Sequence, residues 1–290
     1  MSISIWRRGA DYLSLVKFAH TVFALPFAII GFFLAMKIDC QEFSWKIFIL
    51  VLCAMVFARN SAMGFNRYVD RFIDAVNPRT AGREIPAKKL SPSSVLIFVI
   101  VNVSLFMLTA ALINRLTFIL SLPALIIILC YSFLKRFTYL CHYGLGFALA
   151  IAPVGAYISM TGSFHIVPLI LSAIVFLWSS GFDILYSLDD EEFDKNHAIH
   201  SIPAKFGRKR AMIISAVGHA LVLPLLLLFY YYGMMGTKYI IGAVVFILLL
   251  IYQHLIIRPT DISRLNAAFF TSNGVASLLF AIFTVWDILA

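Results

Sequence analysis

The sequence predicts an all-α protein, a polytopic membrane bundle of about nine transmembrane helices with its active site on the cytoplasmic side. Of its 290 residues, 62% are hydrophobic and only 13% are charged, and apolar runs recur along the whole chain. A soluble domain of this size would expose more charge. The runs are about 18 to 25 residues long, which is enough to cross a hydrocarbon core of ~30 Å. The predicted spans are 17–37, 45–66, 93–113, 116–134, 144–162, 166–187, 212–232, 237–257 and 267–288.

The distribution of basic residues predicts the topology. The net charge is +9, but the basic residues alternate with the spans and form no single patch, so nucleic-acid binding is not indicated. With a cytoplasmic N-terminus, one side carries most of them and the other carries four. The rich side holds Arg7, Arg8, the basic residues of 67–89, Lys135, Arg136, those of 195–210, Arg258 and Arg264; the poor side holds Lys37, Lys46, Arg115 and Lys238. The rich side is therefore expected to face the cytoplasm, most simply across a bacterial inner membrane.

No linker or low-complexity segment divides the chain, which predicts a single domain over residues 1–290. The two longest polar loops, 67–92 and 188–211, resemble each other, because each follows an aspartate pair and contains Ile-Pro-Ala-Lys. That tetrapeptide begins at Ile85 and again at Ile202. The repetition predicts two pseudo-repeated parts, with signature loops at 66–90 and 183–207.

A first carboxylate cluster lies at the end of the second predicted span. The stretch NRYVDRFID places Asn66, Asp70 and Asp74 at intervals of four residues. This spacing keeps the three side chains on one helical face. Like charges at such intervals repel, and the repulsion is stronger near hydrocarbon, so a cationic group is expected between them.

A second cluster lies at the end of the sixth predicted span. The stretch DILYSLDDEEFD places Asp183, Tyr186, Asp190 and Asp194 at offsets of zero, three, seven and eleven, again on one helical face. Both clusters fall on the side that the topology assigns to the cytoplasm.

The sequence assigns no function to several polar residues near these clusters. Asp189, Glu191 and Glu192 lie off the Asp190 face and are expected to be solvated. His142 has no partner at metal-ligand spacing, so the sequence does not indicate a histidine metal site there.

Oxygen ligands such as Asp70, Asp74, Asp190 and Asp194 suit Mg²⁺, which usually bridges one or two carboxylates to a substrate phosphate. Two such ions would neutralise the four charges and leave room for an anion. Guanidinium and ammonium groups are the usual partners of phosphate oxygens, and several lie near the clusters. They are Arg67, Arg71, Arg79, Arg83, Lys135 and Arg136. A diphosphate bound beside apolar helices indicates a lipid diphosphate, the donor of a prenyltransferase.

The motifs resemble the signature segments of the UbiA family of intramembrane aromatic prenyltransferases. The segments are HTVFALPFA at 20–28, NRYVDRFID with the following NPRT and REIPA, then YSFLKR, and finally DILYSLDDEEFD with HSIPAKFG. They extend from residue 20 to about 207 in the family's order, and jointly they are highly specific. One departure is Asp189, where many relatives have a neutral residue, which leaves the metal ligands among Asp189, Asp190 and Asp194 to be settled.

The resemblance implies a polyprenyl diphosphate donor, an aromatic acceptor and dependence on Mg²⁺. It also implies that Asn66, Asp70 and Asp74 hold one ion, and that Asp190 and Asp194 hold the other. The candidate substrate-binding residues are Arg59, Asn66, Arg67, Arg79, Arg83, Lys135 and Arg136. The Lys135–Arg136 pair would bind the diphosphate or an acceptor carboxylate.

Three further residues have two interpretations each. Tyr186 would shield an allylic cation with its ring, or it packs between helices. Arg59 and Asp183 lie inside predicted spans, where charge is costly. Arg59 would bind or orient the acceptor, or form an internal ion pair. Asp183 would remove the ring proton of the acceptor, or simply pair with Arg59.

The leading hypothesis is prenylation of 4-hydroxybenzoate in ubiquinone biosynthesis. The alternative acceptor is a dihydroxynaphthoate in menaquinone biosynthesis. An alternative of another class is a transporter for Mg²⁺ or an organic anion, because repeated halves and charged residues in spans also occur there. The sequence leaves the prenyl chain length and the oligomeric state open.

Overall fold

The structure, a computed structural model, describes residues 5–16 and 23–290. The first six residues of the first predicted span, and the start of the HTVFALPFA segment, lie outside these ranges. The described α-helices are α1 Ile5–Val16, α2 Leu25–Ile38, α3 Trp45–Val69, α4 Arg71–Val76, α5 Pro92–Ile113, α6 Arg115–Leu134, α7 Cys141–Thr161, α8 Ile166–Tyr186, α9 Glu191–Asn196, α10 Ile202–Phe206, α11 Arg208–Ala220, α12 Val222–Tyr232, α13 Thr237–Ile256 and α14 Asn273–Ile288. A 3-10 turn at Ser187–Asp190 and a π-helix at Ala267–Ser272 complete the helical segments.

The predicted membrane bundle is confirmed. Within the described residues, eight helical segments are long and apolar enough to cross a membrane, and they correspond to the last eight predicted spans. They are Trp45–Val76, Pro92–Ile113, Arg115–Leu134, Cys141–Thr161, Ile166–Asn196, Arg208–Tyr232, Thr237–Ile256 and Ala267–Ile288. The described part of the first predicted span is α2, an apolar helix of 14 residues.

Short polar side chains start several of these helices. Ser44 accepts a hydrogen bond from the amide of Ile47, Ser91 from that of Ser94, and Asn114 from that of Thr117. Each bond satisfies one of the amide groups that the first turn of a helix leaves unpaired, which matters most where water is scarce.

Helix α7 lies between two sets of helices. On one side it packs against α2 and α8, and on the other it packs against α6. The largest buried cluster includes residues of α2 and α8 and centres on Trp178, which is surrounded by Phe27, Phe182 and Phe246.

The first carboxylate cluster keeps the helical register that the sequence predicts. Helix α3 ends at Val69 and α4 begins at Arg71, yet the amide of Asp70 bonds the carbonyl of Asn66 at 2.9 Å, and that of Asp74 bonds the carbonyl of Asp70 at 2.8 Å. The four-residue spacing therefore places these residues along one side of the chain, as predicted.

The second cluster is interrupted by a 3-10 turn. Helix α8 ends at Tyr186, the 3-10 turn covers Ser187–Asp190, and α9 starts at Glu191. Because a 3-10 turn has three residues instead of 3.6, it rotates Asp190 and Asp194 relative to Asp183. The four residues therefore do not belong to one continuous α-helix, although all four face the same cavity, described below.

The repeated tetrapeptide adopts two local structures. Residues 85–88 lie in a series of turns in which Lys88 has a positive φ of 58°. The second copy begins α10, where Ser201 caps the helix and Pro203 occupies its first turn. The pseudo-repeat of the two halves remains a prediction.

Candidate active site

The two carboxylate clusters meet across the mouth of the bundle. Residues that follow the first cluster bond directly to the second: the Asn77 amide donates to Asp190 Oδ1 at 3.1 Å, and Arg79 Nε donates to the same oxygen at 2.8 Å. A second nitrogen of Arg79 pairs with Asp190 Oδ2, so the guanidinium grips both oxygens. The loop after α4 is therefore tied to the end of α8, which unites the two signature segments in one site.

Asp70 is buried between two cations from the end of α6. Lys135 Nζ lies 2.5 Å from Asp70 Oδ2, and Arg136 Nη2 lies 3.0 Å from Asp70 Oδ1. Arg136 also donates to the carbonyls of Ser132 and Val69, so its position is fixed by the ends of two helices. Asn66 completes the surroundings by donating to Asp70 Oδ2 at 3.1 Å.

Asp74 has a different partner and one unsatisfied oxygen. Arg83 Nη1 donates to Asp74 Oδ1 at 2.6 Å. Asp74 Oδ2 is buried and has no hydrogen-bond partner among the residues that the structure describes. A carboxylate oxygen left unpaired in a buried position is costly, so this atom marks a place where a cationic ligand would be stabilising.

Arg79 links the second cluster to an aromatic side chain. Its Nη1 donates to the hydroxyl of Tyr186 at 2.9 Å. Burial alone would lower the pKa of Arg79, but the hydrogen bond and the charge of Asp190 outweigh it and raise that pKa. Arg79 is therefore a permanent cation at this site.

Tyr186 belongs to an aromatic wall that also contains residues of the π-helix. Its ring stacks on Phe269 with a centroid distance of 4.1 Å and an interplanar angle of 28°. Phe182 meets the edge of Phe269 at 5.2 Å, and Phe23 contacts both. π-Helical turns occur frequently at functional sites, and this one places Phe269 against the cavity.

A polar cavity of about 290 Å³ contains most of the predicted site residues. Its lining includes Arg59, Asn66, Arg67, Arg79, Arg83, Lys135, Asp183, Tyr186, Asp190 and Asp194. Asp70, Asp74 and Arg136 do not line it; they lie behind Lys135 and Arg83. The sequence predictions thus converge on one cavity, with the first aspartate pair covered by basic side chains.

Two arginines of α3 extend into the same cavity. Arg59 and Arg67 lie eight residues apart on one side of the helix, and both line the cavity. Arg67 is 4% exposed, and its Nε has no hydrogen-bond partner within the described part of the chain. A buried cation of this kind is suited to an anionic ligand.

An apolar chamber of about 170 Å³ adjoins the polar cavity. Arg59, Met63, Tyr131, Leu145 and Leu149 line both spaces, so the two lie next to each other. Most other wall residues are small, and they are contributed by α3 and α7. They include Ala54, Ala58, Ala62, Ala148, Ala152, Gly155 and Ala156.

Asp183 pairs with a histidine that the sequence did not single out. Its Oδ2 lies 2.7 Å from His142 Nδ1. His142 is buried at the start of α7, and its imidazole is far in sequence from α8. The sequence signal was a histidine next to an apolar span, but its partner could not be inferred without the packing of α7 on α8.

Other contacts also went unforeseen. Tyr131 lines both cavities, and Asn77, which bonds Asp190, follows the first cluster by three residues. Glu191 was expected to be solvated, but it binds Arg208 Nε at 3.0 Å and Lys195 Nζ at 2.5 Å. The prediction is wrong because Glu191, the first residue of α9, lies beside Arg208, the first residue of α11. Asp189 and Glu192 are exposed, as expected.

The donor set fits a magnesium-bound diphosphate. Among the described residues, no group of three or more acidic, cysteine or histidine side chains lies close enough together to hold a metal ion without other ligands. Mg²⁺ commonly uses one or two carboxylates and completes its shell with water and phosphate, which matches an aspartate pair in each cluster and the unpaired Asp74 Oδ2.

Fold and site together define an intramembrane prenyltransferase, and comparison with known proteins agrees. Residues 24–274 match the model of the UbiA prenyltransferase family. The chain is 30% identical to the 4-hydroxybenzoate octaprenyltransferase of Aeromonas hydrophila over 238 residues, covering 82% of each chain. It is 29% identical to the enzyme of that name from Aliivibrio fischeri, covering 81% of this chain and 82% of the relative.

Solved structures show the same fold. A UbiA homologue from Aeropyrum pernix aligns with a TM-score of 0.82 at 29% identity, covering 92% of this chain and 98% of the homologue. A homologue from Archaeoglobus fulgidus, bound to GPP and Mg²⁺, aligns with a TM-score of 0.71 at 24% identity over 97% of this chain and all of the homologue. The chain belongs to the UbiA prenyltransferase family. It is an integral membrane enzyme, and the transporter alternative is set aside.

Proposed function

We propose that the protein transfers a polyprenyl group from polyprenyl diphosphate to 4-hydroxybenzoate in a Mg²⁺-dependent reaction of ubiquinone biosynthesis. The observation on which this proposal depends is that a polar cavity, lined by Asn66 of the first cluster and by Asp190 and Asp194 of the second, adjoins an apolar chamber. A lipid diphosphate has a matching division between a charged head and an apolar tail.

The residues that would hold Mg²⁺ are Asn66, Asp70 and Asp74 on one side and Asp190 and Asp194 on the other. When bound, Mg²⁺ stabilises the negative charge that develops on the departing diphosphate. The Archaeoglobus fulgidus homologue, described as bound to GPP and Mg²⁺, supports this assignment.

The basic residues have a double role in this account. Without substrate, Lys135 neutralises Asp70, Arg83 neutralises Asp74 and Arg79 neutralises Asp190. These are the cations that the sequence required between the carboxylates. When the metal-bound diphosphate enters, the same side chains are positioned to contact phosphate oxygens, for which arginine forks and lysine are well suited.

The acceptor lies on the opposite side of the reacting carbon. Arg59 and Arg67 supply positive charge deep in the cavity and would bind the carboxylate of the aromatic acid. Asp183, which lines the same cavity, would act as the base that removes the ring proton. The wall of Tyr186 and Phe269 would protect the allylic cation from water through its π faces.

The identity of the acceptor rests on the relatives. Those that match most of the chain are named 4-hydroxybenzoate octaprenyltransferases. The distribution of basic loops supports a cavity mouth at the cytoplasmic face, which would give access to a soluble aromatic acid. A bacterial inner membrane is the location that agrees with those relatives.

The test is product formation by the purified protein in lipid nanodiscs with Mg²⁺, octaprenyl diphosphate and one acceptor at a time. We expect prenylated 4-hydroxybenzoate and an equal amount of diphosphate. A prenylated dihydroxynaphthoate, with no product from 4-hydroxybenzoate, would replace the acceptor and move the enzyme to menaquinone synthesis. Absence of both products would overturn the proposed function.

A further inference from the structure

His142 is held by two hydrogen bonds that determine where its proton lies. Its Nδ1 is 2.7 Å from Asp183 Oδ2, and its Nε2 accepts the backbone N–H of Ile202 at 3.3 Å. A backbone amide can donate but not accept, so Nε2 must carry the lone pair. Nδ1 therefore carries the proton of the neutral ring and donates it to Asp183.

The carboxylate is consequently fixed on one side and open on the other. His142 is 3% exposed and cannot rotate without breaking both bonds. The imidazole occupies Asp183 Oδ2, which leaves the second oxygen of the carboxylate, Oδ1, for another partner. Asp183 and His142 both line the polar cavity, so Oδ1 is the oxygen that a substrate would meet.

We propose that His142 is a positioning residue that holds the Asp183 carboxylate in the orientation in which Oδ1 takes the ring proton of the acceptor. The inference rests on the function proposed above. Histidine–carboxylate pairs are common where a carboxylate or imidazole must keep one orientation during proton transfer. Here the carboxylate is the base, because both ring nitrogens of His142 are already engaged.

The allylic C–O bond of the donor breaks and its electron pair leaves with the diphosphate. A ring carbon of the acceptor forms the new C–C bond and then carries both the prenyl group and a hydrogen. That C–H bond breaks, its electron pair restores the aromatic ring, and the proton passes to Asp183 Oδ1. The proton leaves to solvent through the open cavity, and the products are prenylated acceptor, diphosphate and H⁺.

Two amide substitutions each keep one hydrogen bond of His142 and remove the other. In His142→Asn, the side-chain amide can occupy the place of Nδ1, so the bond to Asp183 is kept and that to Ile202 is lost. In His142→Gln, the longer side chain reaches the place of Nε2, so the bond to Ile202 is kept and that to Asp183 is lost. The two variants therefore distinguish the loss of the contact with Asp183 from a general effect on packing at this position.

We expect His142→Gln to lower kcat by about tenfold or more, in keeping with the value of a well-placed general base, and to leave the donor KM unchanged. His142→Asn should retain most of the kcat. Asp183→Asn should lower kcat further, and adding His142→Gln to it should have little additional effect, because the two act through one contact.

A deuterium measurement provides the readout that a packing role would not change. The acceptor is 4-hydroxybenzoate deuterated at the two ring carbons beside the hydroxyl. If proton removal slows when Asp183 is misplaced, His142→Gln should show a larger isotope effect on kcat than the wild-type enzyme. Equal losses in both histidine variants without any rise in the isotope effect would overturn the positioning role, as would full activity of His142→Gln.

Failure of the proposed function would look different. In that case the wild-type enzyme itself would form no prenylated 4-hydroxybenzoate. If the wild-type enzyme forms the product while both variants match it in kcat and isotope effect, the positioning role alone is wrong. Thermal unfolding of each variant in detergent, together with its donor KM, shows that the compared proteins are folded and bind the donor.

Discussion

Lys135 Nζ lies 2.5 Å from Asp70 Oδ2, inside a site whose carboxylates are expected to bind Mg²⁺. Asp70 is 1% exposed, so water cannot stabilise its charge and the lysine does so instead. The same side chain lines the cavity in which the diphosphate is expected to lie. Lys135 is thus placed to neutralise the carboxylate before substrate binds and to contact phosphate afterwards.

Replacement of Lys135 by alanine should mainly weaken donor binding. A charged hydrogen bond is worth ~1.5–3 kcal/mol, so we expect the donor KM to rise by about tenfold or more. Steady-state kinetics over a range of polyprenyl diphosphate concentrations measures this. Lys209→Ala, an exposed lysine on the same side of the protein, is the matched control and should have no effect. An unchanged KM and kcat in Lys135→Ala would show that this lysine contributes only to the charge distribution that orients the protein in the membrane.

Asp190→Asn should abolish turnover while the protein stays folded. It removes the negative charge of a proposed metal ligand but keeps the size of the side chain. The loss is expected to be at least about a hundredfold in kcat, because a catalytic metal supplies several kcal/mol. The nearby Glu192→Gln is the control, since Glu192 is exposed and was given no role in the site. Equal activities of the two variants would contradict the metal assignment.

Substitutions of Tyr186 should separate its ring from its hydroxyl. Tyr186→Phe keeps the stack on Phe269 and loses the bond to Arg79, whereas Tyr186→Leu loses both. If the ring shields the cation, the leucine variant should form more prenyl alcohol by capture of water. The ratio of prenyl alcohol to prenylated acceptor, measured by mass spectrometry, should increase in Tyr186→Leu and remain low in Tyr186→Phe. A ratio unaffected by either change would leave Tyr186 a packing residue.

Gly155→Leu should shorten the donor that the enzyme accepts. A Cβ added at Gly155 meets no atom within 4 Å, and this glycine lines the apolar chamber, so the leucine would fill free space. Since the fit of a few methylene groups is worth ~1–3 kcal/mol, we expect the kcat/KM ratio between octaprenyl and geranyl donors to fall by about tenfold or more. Gly218→Leu, at a glycine that lines a separate crevice, is the control. The same donor preference in both variants would show that the tail lies elsewhere.

Much of the fold could be predicted from the sequence because hydrocarbon imposes length and composition on each span. The predicted boundary of the fourth span at residue 134 coincides with the end of α6 at Leu134. The four-residue spacing was also sufficient to predict that Asp70 and Asp74 lie on one side of the chain, because helical hydrogen bonds continue through that turn.

The remaining features depend on packing and are not encoded in local spacing. The 3-10 turn at Ser187–Asp190 interrupts a pattern that reads as a continuous helix, and Glu191, which follows it, binds Arg208. The pairing of His142 with Asp183 requires α7 and α8 to pack with one register. The choice of Lys135 for Asp70 and Arg83 for Asp74, among several nearby cations, likewise follows from how the helices pack.

The main proposal is that the linked aspartate clusters catalyse metal-dependent prenyl transfer. Its most direct test measures prenylated 4-hydroxybenzoate and released diphosphate together, in wild-type enzyme and in Asp70→Asn, with Mg²⁺, with EDTA, and with Mg²⁺ restored after EDTA. The wild-type enzyme should form equal amounts of both products, lose this activity with EDTA and recover it with Mg²⁺, whereas Asp70→Asn should show no turnover. Product that persists in EDTA, or normal turnover by Asp70→Asn, would show that the metal-binding role of these aspartates is wrong.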